Sequence, residues 1–109
     1  MQVFAALADP TRAKIVETLA RRDLTAGEIA ARFPVSRPAI SRHLRVLRKV
    51  QLVRSRGDAQ RRVYSLNPQA LDDIDRWLAR CREVWNQRLD RLDEYLKEMA
   101  AQEMKQGEK

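Results

Sequence analysis

Ser36-Arg37-Pro38-Ala39-Ile40-Ser41-Arg42-His43-Leu44-Arg45-Val46-Leu47-Arg48-Lys49 decides how this chain of 109 residues folds. Ser36 suits a helix cap, and Pro38 is tolerated in the first turn, where its missing N–H removes no intrahelical bond. Ile40, Leu44 and Leu47 recur at i, i+4 and i+7, so one stripe is buried. The rest of the wheel carries Arg37, Pro38, Ser41, Arg42, Arg45, Arg48 and Lys49. Just upstream, Thr25-Ala26-Gly27-Glu28 has the pattern of a capping box. Ile29, Ala30 and Phe33 form the inward face of that helix, and Pro34 stops it. Two short helices joined by the three-residue link Pro34-Val35-Ser36 predict a helix-turn-helix.

Working outward, residues 52–56 and 62–66 read as two strands of a hairpin, with Gly57-Asp58 opening the turn. Towards the start, residues 2–8 form a short helix with Val3, Phe4 and Leu7 on one side. Asp9 caps a second helix and Pro10 takes its first position. Ile15, Val16 and Leu19 are its stripe, and Arg21-Arg22 place cations at its negative end. Beyond the hairpin, Asn67 caps and Pro68 begins a long helix over 68–103. Leu71, Ile74, Leu78, Cys81, Trp85, Leu89, Leu92, Leu96 and Met99 follow in steps of three or four, a mean of 3.5, the spacing of a helix packed along another helix. Residues 105–109 are expected to fray. The fold class is mainly α with a small β-hairpin, and the expectation is one domain over 1–104.

Charge is segregated along the chain. The net charge is +7, and residues 36–66 hold nine Arg and Lys against one acid, Asp58. The flanking thirds nearly balance. Localised positive charge indicates a polyanionic partner. A helix fits the major groove of duplex DNA, and phosphates supply most of the affinity. Pro38, Ser41, Arg42 and Arg45 are assigned to the groove, with Arg42 and Arg45 suited to bidentate contacts with guanine. Ser36, Arg37 and the free amides at the helix start can hold a phosphate. Arg54, Arg56, Arg61 and Arg62 lie on or beside the hairpin tip, where they suit a minor groove or flanking phosphates. The bland reading of any single arginine is an ion pair, Arg61 or Arg62 with Asp58 or with a carboxylate on the long helix. His43, the only histidine, flanks the apolar stripe; packing or a hydrogen bond is the plainer reading, a phosphate contact the sharper one.

Three runs resemble the ArsR/SmtB-type winged-helix repressors of bacteria. They are Leu7-Ala8-Asp9-Pro10-Thr11-Arg12 with Ile15 and Leu19, the run from Ser36 to Leu44 quoted above, and Arg61-Arg62-Val63-Tyr64-Ser65-Leu66. The resemblance covers about residues 3–80. It implies a homodimeric transcriptional repressor, often acting on its own promoter, with residues 36–49 in the major groove and residues 52–66 as the wing. Many relatives release DNA on binding metal through two cysteines in a Glu-Leu-Cys-Val-Cys-Asp-Leu-like stretch. The corresponding Asp23-Leu24-Thr25-Ala26-Gly27-Glu28-Ile29 has Thr25 and Gly27 in their places. The family's second site needs two histidines on the last helix. Asp73, Asp75 and Asn86 stand there without an imidazole. Zinc-like ions want Cys or His, so no metal and no cofactor is expected.

A helix of about 35 residues, about 50 Å long, presents more apolar stripe than one domain can cover. A second copy can. Trp77, Leu78, Cys81, Trp85, Leu89, Leu92 and Leu96, with Phe4 and Leu7, are the expected dimer interface. A two-fold would set two recognition helices roughly 34–36 Å apart on a palindromic site. Cys81, the single cysteine, cannot form an intrachain disulfide and reads as a buried, inert thiol. No signal peptide or apolar span is legible, so the expected location is the cytoplasm. No catalytic constellation is present: no Ser-His-Asp arrangement, no Gly-rich phosphate loop, no carboxylate pair beside a cleft. Two rivals stand beside the repressor reading. One is a small-molecule- or redox-responsive repressor with Trp77, Trp85 and Tyr95 lining a pocket between dimer helices. The other is a protein-interaction module docking its basic helix on an acidic surface.

Overall fold

Local capping signals set the element boundaries in the computed structural model, which describes residues 2–107. The order is α1 (Gln2–Leu7), α2 (Pro10–Leu19), β1 (Leu24–Thr25), α3 (Ala26–Ala30), α4 (Arg37–Lys49), β2 (Val53–Asp58), β3 (Arg61–Leu66) and α5 (Pro68–Gly107). Asp9 starts α2 by accepting from the N–H groups of Thr11 at 2.9 Å and Arg12 at 3.0 Å. The described residues divide into two compact units, one ending at Leu71 and one beginning at Asp72. The second unit is the part of α5 from Asp72 onward.

The first unit is built around a small apolar core. Ile15, Leu24, Ile29, Ile40, Leu44, Leu47 and Leu52 are its largest fully buried side chains. Each contributes about 1.5–3 kcal/mol relative to an exposed position. Five of the seven were named by periodicity. Leu24 and Leu52 were not, because each sits at an element boundary. Leu24 belongs to β1, a two-residue strand too short to show alternation. It pairs with Tyr64 of β3, making an antiparallel sheet of order β1-β3-β2.

Leu52 belongs to the exit from α4. Gln51 adopts φ 66°, the Leu52 N–H donates to the Leu47 carbonyl at 3.1 Å, and the Gln51 N–H donates to that of Arg48 at 3.0 Å. These paired bonds form a Schellman motif, and both leucines are buried. Asn67 fastens the same corner. It is 6% exposed, its Nδ2 donates to the Gln51 carbonyl at 2.7 Å, and its backbone N–H donates to that of Leu52 at 2.9 Å. Its Oδ1 accepts from the Gln69 N–H at 3.2 Å, which is the cap of α5.

Three boundaries depart from expectation. Helix α3 ends at Ala30, a turn before Pro34. Arg32 and Phe33 bond back three residues, to Ile29 and Ala30, because the residue before a proline disfavours the α region. The hairpin turn is Ala59-Gln60 rather than Gly57-Asp58. Gly57 pairs with Arg62 and Asp58 with Arg61 inside the strands, while Ala59 takes the left-handed conformation at φ 56°. Helix α5 continues through Gly107, past the expected end near residue 103. Of the expected frayed tail, residues 108–109 lie outside the described residues. At 40 residues, α5 is about 60 Å long. Among the described residues no helix is long and apolar enough to cross a membrane.

A candidate nucleic-acid interface

Two caps hold α3 and α4 as a rigid pair. Thr25 Oγ1 accepts the Glu28 N–H at 3.2 Å, and Glu28 Oε1 accepts the Thr25 N–H at 3.0 Å. The Thr25 N–H and hydroxyl hold the Glu28 carboxyl below the usual carboxylate range, aided by the charges of Arg22 and Arg61. Ser36 is extended and its Oγ accepts the Ala39 N–H at 3.3 Å. Ile40, Leu44 and Leu47 are at most 1% exposed, so the opposite face of α4 is fixed toward solvent. Ser36, Arg37, Pro38, Ser41, Arg42 and Arg45 are all exposed on it.

The wing arginines are not equivalent. Arg61 and Arg62 share an open cleft of about 410 Å³ with Arg37, so three of the assigned cations converge between the start of α4 and the hairpin tip. Arg62 also donates to Ser55 Oγ at 3.1 Å. The Arg37 guanidinium lies over Gly27, 3.8 Å from where a Cβ would stand. Arg56 instead pairs with Asp23, Nη1 to Oδ2 at 2.9 Å. Both side chains are about half exposed, and such a pair is worth about 0.2–1 kcal/mol, little enough for a phosphate to displace. The ion pair expected for Arg61 or Arg62 thus falls to Arg56. Nothing in the local run around Arg56 announces Asp23, which lies 33 residues away.

His43 is half-buried and turned toward Arg12 of α2, whose Nη1 lies 3.5 Å from its Nδ1. This is the hydrogen-bonded reading; only its other ring nitrogen is left for an outside partner. No local pattern announces this contact, because Arg12 and His43 lie 31 residues apart. At the far end of α4, Arg45, Arg48 and Lys49 meet Arg54 of β2 around a second cleft.

In the second unit, Leu78, Trp85, Leu89, Leu92, Tyr95, Leu96 and Met99 are 42–59% exposed along one side of α5. Cys81 is exposed on that side rather than buried, because the side belongs to a lone helix. Trp77 and Trp85 flank it in a depression of about 390 Å³, with Arg88 stacked 5.2 Å from the Trp85 ring centre. Tyr95 does not line it. Phe4 and Leu7, expected to join this interface, are half-buried in the first unit.

Comparison with known proteins gives concordant matches. The sequence model for bacterial regulatory proteins of the arsR family matches residues 9–55. The HTH-type transcriptional regulator Rv2034 of Mycobacterium tuberculosis is 45% identical over 93 residues, covering 82% of this chain and 87% of the relative. The transcriptional repressor SdpR of Bacillus subtilis is 42% identical over 76 residues, 70% of this chain and 84% of the relative. Among solved structures, an ArsR-like transcriptional regulator from Rhodococcus sp. RHA1 superposes with a TM-score of 0.74 at 38% identity, covering 84% of this chain and 86% of that one.

Proposed function

Because this chain belongs to the arsR family of bacterial regulatory proteins, we propose that it is a homodimeric repressor that reads a palindromic operator without sensing metal. One observation carries the DNA-binding part: a doubly capped helix whose outer face is cationic, set beside a cleft where Arg37, Arg61 and Arg62 converge. Arg42 and Arg45 read base edges in the major groove. Ser36, Arg37, Pro38 and Ser41 position the start of the helix, and Arg61 and Arg62 reach the flanking backbone. Arg56 joins them on releasing Asp23.

Support for metal independence comes from the α3 box. The Thr25 hydroxyl is used in the capping box, and a guanidinium covers Gly27. A used hydroxyl and a cation make a poor seat for a metal ion. The continuous apolar side of α5 supports dimerisation through Leu78, Cys81, Trp85, Leu89, Leu92 and Leu96.

Gel shifts on promoter DNA with Arg42→Ala and Arg45→Ala test the reading. Each loses discrimination against the wrong base of about 1–3 kcal/mol, roughly 5- to 150-fold. If both variants bind operator and random duplex like the parent, α4 does not read sequence. A second reading, release of DNA by a ligand or oxidant, has one observation in its favour: Cys81 is exposed between Trp77 and Trp85. Operator affinity measured with and without oxidant separates the two, since the first reading predicts no change.

A further inference from the structure

A third group of cations lies away from the elements assigned to DNA. Lys14 of α2, Arg21 just beyond its end and Arg32 from the turn after α3 line one open cleft of about 360 Å³, together with Glu17, Thr18 and Phe33. No residue of α4 or of the hairpin lines it. Lys14, Glu17, Arg21 and Arg32 are exposed, while Thr18 and Phe33 are half-buried. Among the described residues, Arg22, Arg56, Arg76 and Lys97 each have a carboxylate within 4.0 Å; Lys14, Arg21 and Arg32 have none, although Glu17 shares their cleft. The backbone that carries them is fixed. Thr18 Oγ1 donates to the Lys14 carbonyl at 2.7 Å. The Arg21 N–H donates to the Thr18 carbonyl at 3.1 Å, and the Arg32 N–H to that of Ile29 at 3.0 Å. With the Thr18 proton used, the cleft offers a partner three cations and one aromatic ring.

We infer that this cleft docks an acidic segment of a partner protein, which sets an apolar side chain against Phe33. Three cations against one carboxylate attract a negatively charged partner and disfavour a basic one. Lys14 and Arg21 are separated by roughly 10 Å along the direction of α2. A lone carboxylate or phosphate is too small to satisfy both ends, whereas an extended chain covers that distance in about three residues. Phe33, half-buried beside the cations, supplies the apolar contact that a free inorganic anion does not use. Because α4 and the hairpin contribute nothing to the lining, docking leaves Arg42 and Arg45 free, and the acidic partner and an operator are held at the same time. Docking itself does not depend on the DNA-binding reading above; simultaneous occupancy does.

The test follows amide NMR signals of the isotope-labelled full chain during titration with a short peptide of glutamates flanking one phenylalanine, and with its glutamine analogue. The glutamate peptide shifts the amides of Lys14, Thr18, Arg21, Arg32 and Phe33 above all, and the glutamine analogue does not. The variant Lys14→Gln/Arg21→Gln/Arg32→Gln weakens the glutamate peptide by roughly 3- to 150-fold, the loss of three exposed ion pairs together. It binds random-sequence duplex within about two-fold of the parent, since the three charges act on DNA only through screened distance. Unchanged signals from the Ile15, Ile29 and Ile40 core show that this variant is folded. Shifts confined to α4 and the hairpin place the peptide on the basic helix and overturn the inference. Equal binding of the glutamine analogue, or displacement of the peptide by inorganic phosphate at constant ionic strength, also overturns it. So does a variant that loses duplex and peptide affinity together, which makes these cations part of the DNA surface. A parent that binds the peptide as expected but no duplex leaves the docking site standing and overturns the DNA-binding reading alone.

Discussion

Arg12 bridges to His43, Nη1 to Nδ1 at 3.5 Å, and so joins α2 to the exposed-face helix α4. The same guanidinium donates from Nε to the Ala6 carbonyl at 2.7 Å, closing the end of α1. One side chain therefore ties three helices together. Arg12→Ala removes a charge-assisted hydrogen bond to a partly buried carbonyl, and we expect a loss of about 1–2 kcal/mol in urea unfolding with the slope unchanged. His43→Ala removes only the longer contact and costs less. Equal losses for the two variants would show that the Ala6 bond contributes nothing.

That bridge also shows where reading the sequence reaches its limit. Helix α4, its Ser36 cap, its Ile40-Leu44-Leu47 stripe and the Thr25–Glu28 capping box are set by residues within one or two turns, and periodicity with capping chemistry found them. The pairings Arg12–His43 and Arg56–Asp23 join residues 31 and 33 positions apart. No local pattern encodes them. The hairpin turn was misplaced for a different reason. Gly57 is the local turn signal, but the strands run on past it: Gly57 pairs with Arg62 and Asp58 with Arg61, which puts Ala59 at the tip.

Among the described residues, two other than glycine occupy the left-handed region, Gln51 at φ 66° and Ala59 at φ 56°. A Cβ there costs about 1 kcal/mol, partly offset by the smaller unfolded-state entropy of a residue that is not glycine. Gln51→Gly and Ala59→Gly are each expected to raise stability by about 0.5 kcal/mol, and additively, since they sit at different corners. Thermal unfolding of the two variants and of the pair checks this. A destabilised Ala59→Gly would mean that hairpin stiffness outweighs the strain.

Acid should unfold the first unit through its caps. The Arg12 N–H above all, then the charge of His43, the Thr11 N–H and the charge of Arg12, hold the Asp9 carboxyl below its ordinary range. Glu28 is lowered by its bonds to Thr25. A carboxylate depressed on folding contributes stability that is complete above its unfolded pKa and is lost as pH falls through the folded value. The loss therefore lies below about pH 4. Asp9→Asn keeps a capping side chain but cannot titrate, so its unfolding midpoint should fall less steeply than the parent's from pH 5 to pH 2 (approximate limits). Parallel curves for parent and variant would remove Asp9 from the acid transition.

The exposed side of α5 predicts an association that sequence-specific binding then uses. Leu89 at 44% and Leu92 at 51% exposure lie midway along the apolar run. A single helix of this length gains little from packing in its own unit, so a second copy is expected to cover its apolar side. Charging the middle of that seam with Leu89→Lys/Leu92→Lys leaves two ammonium groups to be desolvated at a symmetric interface, where each appears twice. We expect the parent to be dimeric by light scattering at micromolar concentration, and the variant to dissociate at least about 100-fold more readily. Operator binding should fall with it, because two half-sites are no longer joined, while random duplex binding per chain changes little. A parent that is monomeric and still protects a palindromic site would show that α5 serves some other partner and that each half-site is read independently.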